Sequence, residues 1–256
     1  TARDREFDGS RDLMKSFGGL VGSLIYTLPC VRVDAAQSIG LLARALTFPT
    51  EELLEDARQV LTYLAQTAEL GVTYSGDGVN AAKLTAHSDS DWSTGHSTTG
   101  YVIRLAGGSI AYASKRQPCI AMSTTEAEII AASTCACEIA YFRALLEEMG
   151  LPQEEPTTLF VDNKGAVELS RDRKSCHRSR HVDRRFFKVR ELVFAGAIKV
   201  EYVPTEDNPA DILTKALDQP TFYRHTRTML SAVTNAAVRA VGYPQAALPR
   251  GVMTGM

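Results

Sequence analysis

The fold is decided by a short run of residues, Leu-Thr-Ala-His-Ser-Asp-Ser-Asp-Trp, at positions 84–92. Two more short runs follow it, Gly-Tyr-Val-Ile-Arg-Leu at 100–105 and Ser-Ile-Ala-Tyr-Ala-Ser at 109–114. These runs contain β-branched or aromatic residues, which is typical of strands. Gly107 and Gly108 lie between the last two runs and favour a tight turn. The sequence therefore predicts an antiparallel three-stranded meander.

The residues that follow alternate between helical and strand patterns. Residues 123–149 have a long helical pattern that ends at Gly150 and Pro152. Beyond it we predict, in order, a buried strand at 157–161, a short helix near 165–170, a helix at 178–195, a strand at 198–203 and a final helix at 209–217. This order of elements predicts an α/β fold with a mixed sheet.

The residues before the meander have a helical pattern, from about 18 to 74. Pro-Thr-Glu-Glu at 49–52 opens a helix whose apolar face we expect to contain Leu53, Ala57, Val60, Leu61 and Leu64. A polar, glycine-bearing break at 75–80 is the best domain boundary. Residues after 230 are rich in Ala, Pro and Gly, and we expect them to be poorly ordered. The sequence thus predicts a helical segment at 1–75, an α/β domain at 76–220, and a C-terminal helix and tail at 221–256.

Composition narrows the class of protein. The chain has 256 residues, 45% hydrophobic and 23% charged, which fits a globular protein of one or two domains. A net charge of −2 gives no global signature of nucleic-acid binding, so any such role must depend on local charge. The five cysteines show no C-x-x-C spacing, which favours reduced thiols in an intracellular protein over zinc ligands. The apolar stretch 17–29 is too short to span a bilayer, so we expect no membrane partner.

Four acidic residues lie at the predicted ends of elements, where carboxylates from distant segments can meet. They are Asp89 in the first strand, Glu128 one turn into the long helix, Asp162 after the fourth strand, and Asp211 in the first turn of the last helix. Carboxylates that cluster repel one another unless a cation lies among them, and Mg²⁺ prefers oxygen ligands. Two such ions about 4 Å apart can activate a water and stabilise a leaving oxygen.

The acids other than Glu128 also have a structural interpretation. Ser123 and Glu126 form a capping box, so Glu126 is expected to be structural. Asp162 could cap the following helix, and Asp211 could complement a helix dipole. Asp89 could be a turn residue. Spacing alone leaves both interpretations open.

A series of motifs resembles a known family. In order along the chain they are His87-Ser88-Asp89-Ser90-Asp91-Trp92, Ser97-Thr98-Thr99-Gly100-Tyr101, Ser114-Lys115-Arg116-Gln117, Ser123-Thr124-Thr125-Glu126-Ala127-Glu128, Val161-Asp162-Asn163, Arg180-His181-Val182-Asp183 and the stretch from Tyr202 to Lys215. Together they resemble the ribonuclease H domain of copia-type retrotransposon Pol, over about residues 72–219. Leu-Val-Gly-Ser-Leu-Ile-Tyr at 20–26 and the helix ending at Leu64 are similar to the reverse transcriptase segment that precedes this domain.

The resemblance implies a ribonuclease H-like fold, a five-stranded mixed sheet flanked by helices and preceded by a small helical segment. It also implies an Asp-Glu-Asp-Asp metal site, which motif by motif falls on Asp89, Glu128, Asp162 and Asp211. The implied cofactor is a pair of Mg²⁺ ions, with Mn²⁺ as a substitute. The implied substrate is an RNA·DNA hybrid, and the implied partner is the polymerase palm and fingers of the parent polyprotein. The resemblance places such a protein inside the cell, in the cytoplasm, a virus-like particle or the nucleus, and it indicates no oligomeric state.

Three departures from the family pattern matter. The chain has no Tyr-x-Asp-Asp motif, so it cannot itself polymerise DNA. The stretch 203–208 lacks the mobile histidine that many cellular ribonucleases H carry before the last aspartate, a lack that copia-type domains share. Cys-Val-Arg-Val-Asp at 30–34 departs from the usual Arg-Pro-Asp, which affects the local turn.

The region 171–190 is strongly basic, with nine Lys and Arg against two Asp. We expect it to grip the phosphates of a hybrid, although a solvated helix face is the alternative. The substrate-binding candidates are Arg178, Arg180, His181, Arg184, Arg185 and Lys188. For His181 a packing role is an equal alternative, and for Trp92 we expect core packing.

Two hypotheses follow from the sequence. The first is an endoribonuclease that hydrolyses the RNA strand of RNA·DNA hybrids with two metal ions. The second is a catalytically inactive or co-opted remnant of the polyprotein that binds nucleic acid or has a structural role.

Overall fold

The structure is a computed structural model that describes residues 11–29, 31–75, 83–93, 95–171 and 180–230, with the backbone alone for 180–186. These residues form two compact units, one from residues before 73 and after 217, the other from residues 73–217. The helix Gln219–Leu230 therefore belongs to the first unit, whereas the sequence predicts a separate segment at 221–256. Residues 231–256 lie outside the described part of the chain.

The second unit is built on a five-stranded sheet. Its strands are β1 (Thr85–Asp91), β2 (Thr98–Leu105), β3 (Gly108–Arg116), β4 (Thr157–Val161) and β5 (Ile198–Tyr202). They lie side by side in the order β3-β2-β1-β4-β5. β1 is antiparallel to β2, and β2 is antiparallel to β3, whereas β4 runs parallel to both β1 and β5. The predicted meander and the predicted mixed sheet are both confirmed.

Helices cover this sheet. In the second unit they are α4 (Thr124–Glu148), α5 (Lys164–Arg171) and α6 (Arg180–Phe194). α4 packs its buried face, which includes Ala132, Cys135 and Ile139, into one hydrophobic cluster with Ile103 and Leu159 of the sheet. By length and composition alone α4 could also cross a membrane, but half of its apolar window is buried inside the fold. Packing on the sheet accounts for that composition.

The predicted final helix at 209–217 is wrong in type and length. Residues Pro209–Leu213 form a short 3-10 helix, which we call the 209–213 turn. Asn208 caps it, since its side-chain oxygen accepts from the backbone N–H of Ala210 at 3.2 Å. Thr214 follows its last residue. The N–H of Thr214 donates to the carbonyl of Asp211 at 3.1 Å, three residues back, as in a 3-10 helix, and its hydroxyl bonds a side chain of β1.

The first unit contains the helices α1 (Arg11–Thr27), α2 (Ala36–Ala43), α3 (Glu51–Gln66) and α7 (Gln219–Leu230). α3 buries Leu53, Ala57, Val60 and Leu64 as predicted, but Leu61 is 46% exposed. The expectation for Leu61 was therefore wrong, although Ala57 and Leu54 on the same side of α3 are both buried.

A buried ion pair ties the start of α2 to α3. Arg32 donates to Asp34 through Nε at 3.0 Å and through Nη2 at 2.8 Å. The hydroxyl of Tyr63 donates to the same carboxylate at 2.6 Å, and Nη2 of Arg32 also donates to Thr67 Oγ1 at 2.7 Å. Val33 in place of the family's proline thus leaves the arginine and the aspartate paired.

We predict that Asp34→Ala lowers the free energy of unfolding by about 3 kcal/mol, because it leaves the buried guanidinium of Arg32 without its carboxylate. Urea unfolding followed by circular dichroism measures the change. The matched control is Glu55→Ala, which breaks an exposed pair with Arg58 and should change stability by less than about 1 kcal/mol. If the two substitutions lowered the free energy of unfolding equally, the buried pair would not stabilise the protein more than the exposed one.

Candidate metal centre

The four predicted acids lie at one edge of the sheet of the second unit. Asp89 lies near the end of β1, and Asp162 directly follows β4. Since these two strands are parallel and pair Ser88 with Val161, their carboxyl ends meet at the same edge. Glu128 lies in the second turn of α4, and Asp211 lies in the 209–213 turn.

Three of these carboxylates converge. Asp89, Glu128 and Asp162 each offer one oxygen, and the three oxygens lie within 4.8 Å of one another. Asp89 is 1% exposed and Glu128 6% exposed, while Asp162 is half-buried. Asp211 stands beside this group, bridged to it by Lys215. The ammonium of Lys215 lies 2.9 Å from Asp211 Oδ2 and 3.8 Å from Asp89 Oδ2.

Neighbouring hydroxyl groups hold one oxygen of each converging carboxylate. Glu128 Oε1 accepts from the backbone N–H of Ser90 at 3.0 Å and from its hydroxyl at 2.9 Å. Asp162 Oδ2 accepts from the hydroxyl of Thr205 at 2.8 Å, and Asp89 Oδ2 accepts from the hydroxyl of Thr214. The carboxylates are therefore oriented by the protein itself.

Two other oxygens of the site are buried without a donor. Glu128 Oε2 and Asp211 Oδ1 find no hydrogen-bond partner among the residues that the structure describes. A buried acceptor without a donor is costly, and in proteins it usually signals a ligand, a water or an ion. Oxygen donors of this kind suit a hard cation such as Mg²⁺ or Mn²⁺.

The electrostatics of the site also favour a cation. Burial, with repulsion by Asp89 and Asp162, raises the pKa of Glu128 well above its usual value. Burial and Asp89 likewise raise the pKa of Asp162, and they raise the pKa of Asp211 to about 8 in spite of Lys215. Burial alone would lower the pKa of Lys215, but the surrounding carboxylates outweigh it and raise that pKa. The carboxylates thus crowd more negative charge than one ammonium balances.

Other residues perform the capping roles that the sequence left open for these acids. Glu126 completes the cap of α4, where Ser123 accepts from its N–H and its own carboxylate accepts from the N–H of Met122. At the start of α5 the cap is Asn163, which accepts from the N–H of Ala166 at 3.0 Å. Asp162 instead accepts from Thr205, and Asn208 caps the 209–213 turn.

The predicted substrate-binding residues are described only in part. Arg178 lies outside the described residues, and so do the side chains of Arg180, His181, Arg184 and Arg185, whose backbone lies in α6. Lys188 is described, and it pairs with Glu191 on the surface of α6 at 3.4 Å.

Two members of the basic region make contacts within the fold. Arg190 is buried and lies over the ring of Phe187 at 4.8 Å. Arg171 is exposed, and it donates to the carbonyl of Val200 at 2.9 Å. Arg190 therefore does not present its charge to solvent.

Some residues around the site were missed or misjudged. Thr205, Thr214 and Lys215 lie inside a quoted motif, but nothing in their spacing showed that they would bond carboxylates. Trp92 is 50% exposed, and its indole N–H donates to the carbonyl of Ala121 at 3.2 Å, so the expectation of core packing was wrong. The indole follows β1 immediately, where the strand leaves the sheet.

Two exposed basic residues also reach this edge of the sheet. Lys115 and Arg116 end β3, and Arg116 pairs with Thr98, which in turn pairs with Asp91 at the end of β1. A basic pair at the end of a predicted strand was the signal that could have found them.

Comparison with known proteins decides the family. No protein-family model matches the chain. The Retrovirus-related Pol polyprotein from transposon TNT 1-94 of Nicotiana tabacum is 35% identical over 207 residues, which is 80% of this chain and 16% of that protein. The corresponding polyprotein from transposon RE1 of Arabidopsis thaliana is 33% identical over 210 residues, covering 80% of this chain and 14% of that protein. The chain belongs to the retrovirus-related transposon Pol polyproteins. This confirms the resemblance found in the motifs.

The Pol segment spans about a sixth of the length of these relatives, 14% to 16%. Among solved structures it is similar to ribonuclease H1 from the halophilic archaeon Halobacterium salinarum, with 17% identity and a TM-score of 0.41. That likeness covers 52% of this chain and 95% of the other.

We predict that, in EDTA, the second unit of the Pol segment loses stability as the pH rises from about 4 towards 8. An acid whose pKa is raised by folding binds its proton more tightly in the folded state. The stability that this proton provides is therefore present below the ordinary pKa near 4, and it is lost as the pH rises through the pKa of the folded state. Calorimetric melting between pH 5 and 8 measures this loss.

Asp211→Asn should flatten the pH profile, because it removes one of the groups that must ionise, whereas the exposed Glu154→Gln should leave the slope as it is. A slope that is the same in Asp211→Asn and in the unchanged protein would contradict the crowding of charge at this site.

Proposed function

We propose that this Pol segment is an endoribonuclease that hydrolyses the RNA strand of RNA·DNA hybrids with two divalent cations. The observation that carries the proposal is the convergence of Asp89, Glu128 and Asp162, with oxygens within 4.8 Å of one another, and Asp211 alongside. These residues come from four separate segments of the chain. Carboxylates brought together from distant segments repel one another, and a cation bound among them relieves this repulsion.

The residues present fit a pair of hard cations. The proposed ligands are Asp89, Glu128 and Asp162 for one ion, with Asp89 and Asp211 facing the other. When bound there, Mg²⁺ ions supply an activated water and stabilise the departing 3′ oxygen. Mn²⁺ is the expected substitute, since it takes the same oxygen ligands.

The protein's own groups prepare the site for this chemistry. Ser90, Thr205 and Thr214 each hold one carboxylate oxygen. The second oxygen of Glu128, Oε2, is buried with no partner among the described residues. Lys215 balances part of the charge on Asp211 and Asp89. Preorganised ligands lower the cost of binding, because the side chains need not be ordered when the ion arrives.

Substrate binding is proposed to depend on phosphate contacts. Lys115 and Arg116 are exposed at the carboxylate edge of the sheet and suit one strand of a hybrid. For the other strand of the hybrid the candidates remain the basic residues of 178–188, which are Arg178, Arg180, His181, Arg184, Arg185 and Lys188. Contacts of this kind are independent of sequence and weaken as salt rises.

The proposed setting is the parent polyprotein. The relatives are about six times longer than the matched segment, and the chain lacks the polymerase motif. We propose that the segment works attached to a polymerase palm and fingers, inside the cell. The hybrid that polymerisation on an RNA template leaves behind is then its substrate.

We predict that Asp89→Asn and Asp162→Asn each reduce cleavage of a labelled RNA·DNA hybrid by at least about 1,000-fold without loss of folding, since transition-state stabilisation by a metal is worth several kcal/mol. The assay compares Mg²⁺, Mn²⁺ and EDTA, and melting curves report folding. Cleavage should require one of the ions.

Glu126→Gln is the matched control, because Glu126 lies on the same helix as Glu128 but caps it. It should retain most of the cleavage activity. If Glu126 proves essential and Glu128 dispensable, the assignment of the helix acid is wrong. Binding of the hybrid without cleavage in either metal would favour an inactive, nucleic-acid-binding remnant.

A further inference from the structure

Gly100 lies in the middle of β2, where glycine ordinarily weakens a strand. It pairs with Asp89 on β1 and with Ser114 on β3. Its backbone lies outside the left-handed region that favours glycine, unlike Gly107, Gly150 and Gly196. The conformation of this residue therefore does not explain why it lacks a side chain, and space around it is the remaining reason.

The 209–213 turn approaches Gly100 very closely. A Cβ placed on Gly100 would lie 2.6 Å from Cγ2 of Thr214, 2.9 Å from Cβ of Leu213 and 3.0 Å from the carbonyl oxygen of Ala210. Carbon atoms in favourable contact lie about 3.5–4.0 Å apart. All three neighbours are buried, and one contact is a backbone atom that cannot rotate away. Any side chain at position 100 must push this segment off the sheet.

The displaced segment carries part of the carboxylate site. The hydroxyl of Thr214 donates to Asp89 and also lies 3.1 Å from the carbonyl of Asp211. The methyl group that a Cβ at position 100 would strike first belongs to this same side chain. The next residue, Lys215, bridges Asp211 and Asp89. The spacing at Gly100 thus controls how near Asp211 comes to Asp89.

We propose that Gly100 is a positioning residue of the metal site. Its missing side chain lets the 209–213 turn dock on β2 closely enough for Thr214 to hold Asp89 and for Asp211 to complete the carboxylate group. The inference rests on the proposed function in one respect, that these carboxylates are the ones that bind the cations.

The test uses the full chain with Gly100→Ala and, as matched control, Gly95→Ala. A Cβ at Gly95 meets nothing within 4 Å. Gly100→Ala should lower the melting temperature in EDTA by about 3–10 °C, the range expected for overpacking in a domain of this size. It should also weaken Mn²⁺ binding, titrated by electron paramagnetic resonance, by about 10-fold or more. Gly95→Ala should change neither quantity.

Second-site changes at Thr214 separate spacing from hydrogen bonding. Thr214→Ser removes the methyl group that makes the closest contact and keeps the hydroxyl that bonds Asp89. Gly100→Ala combined with Thr214→Ser should therefore recover part of the Mn²⁺ affinity lost in Gly100→Ala. Combined with Thr214→Ala, which removes the same methyl group together with the hydroxyl, it should recover less.

Two results would overturn the proposal. One is a Gly100→Ala protein that melts and binds Mn²⁺ like the Gly95→Ala control. The other is a Gly100→Ala protein that melts early but binds Mn²⁺ with unchanged affinity, which would make Gly100 a matter of packing alone. Neither readout uses cleavage, so a wild-type chain that fails to cut a hybrid would count against the proposed function and not against this one.

Discussion

Repulsion between like charges in a buried place is the constraint on which the second unit depends. Burial, together with the neighbouring carboxylates, raises the pKa of Glu128 and of Asp162, so keeping these groups ionised side by side costs free energy. In water such side chains would separate, and in a low dielectric their repulsion grows. The rest of the unit must hold them in place, and much of its local structure serves that purpose.

The sheet and the helix packed on it fix the positions of three of the four carboxylates. Parallel pairing of β1 with β4 brings Asp89 and Asp162 to one edge, and the capped start of α4 sets Glu128 against Ser90. The fourth acid, Asp211, lies in the 209–213 turn, which packs against β2 at Gly100, where no side chain is present. Three acids are therefore fixed by regular structure and one by a close tertiary approach, which is why the position of Asp211 is the most sensitive to small changes in packing.

Lys215 has a distinctive place in this arrangement. Its ammonium contacts Asp211 and approaches Asp89, so it is a cation supplied by the chain itself. It reduces the repulsion without removing it, since the pKa of Asp211 is still raised. The negative charge that Lys215 leaves unbalanced favours binding of a further cation.

The sequence could predict what depends on periodicity and local signals. Strand runs, the Gly-bearing turn before β3 and the capping box at Ser123 are short-range features, and the structure confirms each of them. The motif order also placed the four acids at element ends. What it could not predict depends on tertiary approach. The 209–213 segment has helical capping signals, but it forms only a short 3-10 helix, and the next residue, Thr214, bonds Asp89, 125 residues away. Trp92 is a large aromatic residue typical of a core, yet it follows a strand where the chain leaves the sheet. Leu61 is exposed although Ala57 and Leu54 on the same side of α3 are buried.

A crystal of the full chain grown with Mn²⁺ and measured at the manganese absorption edge would show directly whether these carboxylates bind cations. We expect two anomalous peaks about 4 Å apart at the edge of the sheet. Asp89 should lie between them, Glu128 and Asp162 should bind one ion, and Asp211 should reach the other. Peaks elsewhere, or four carboxylates that remain apart with no ion among them, would contradict this expectation.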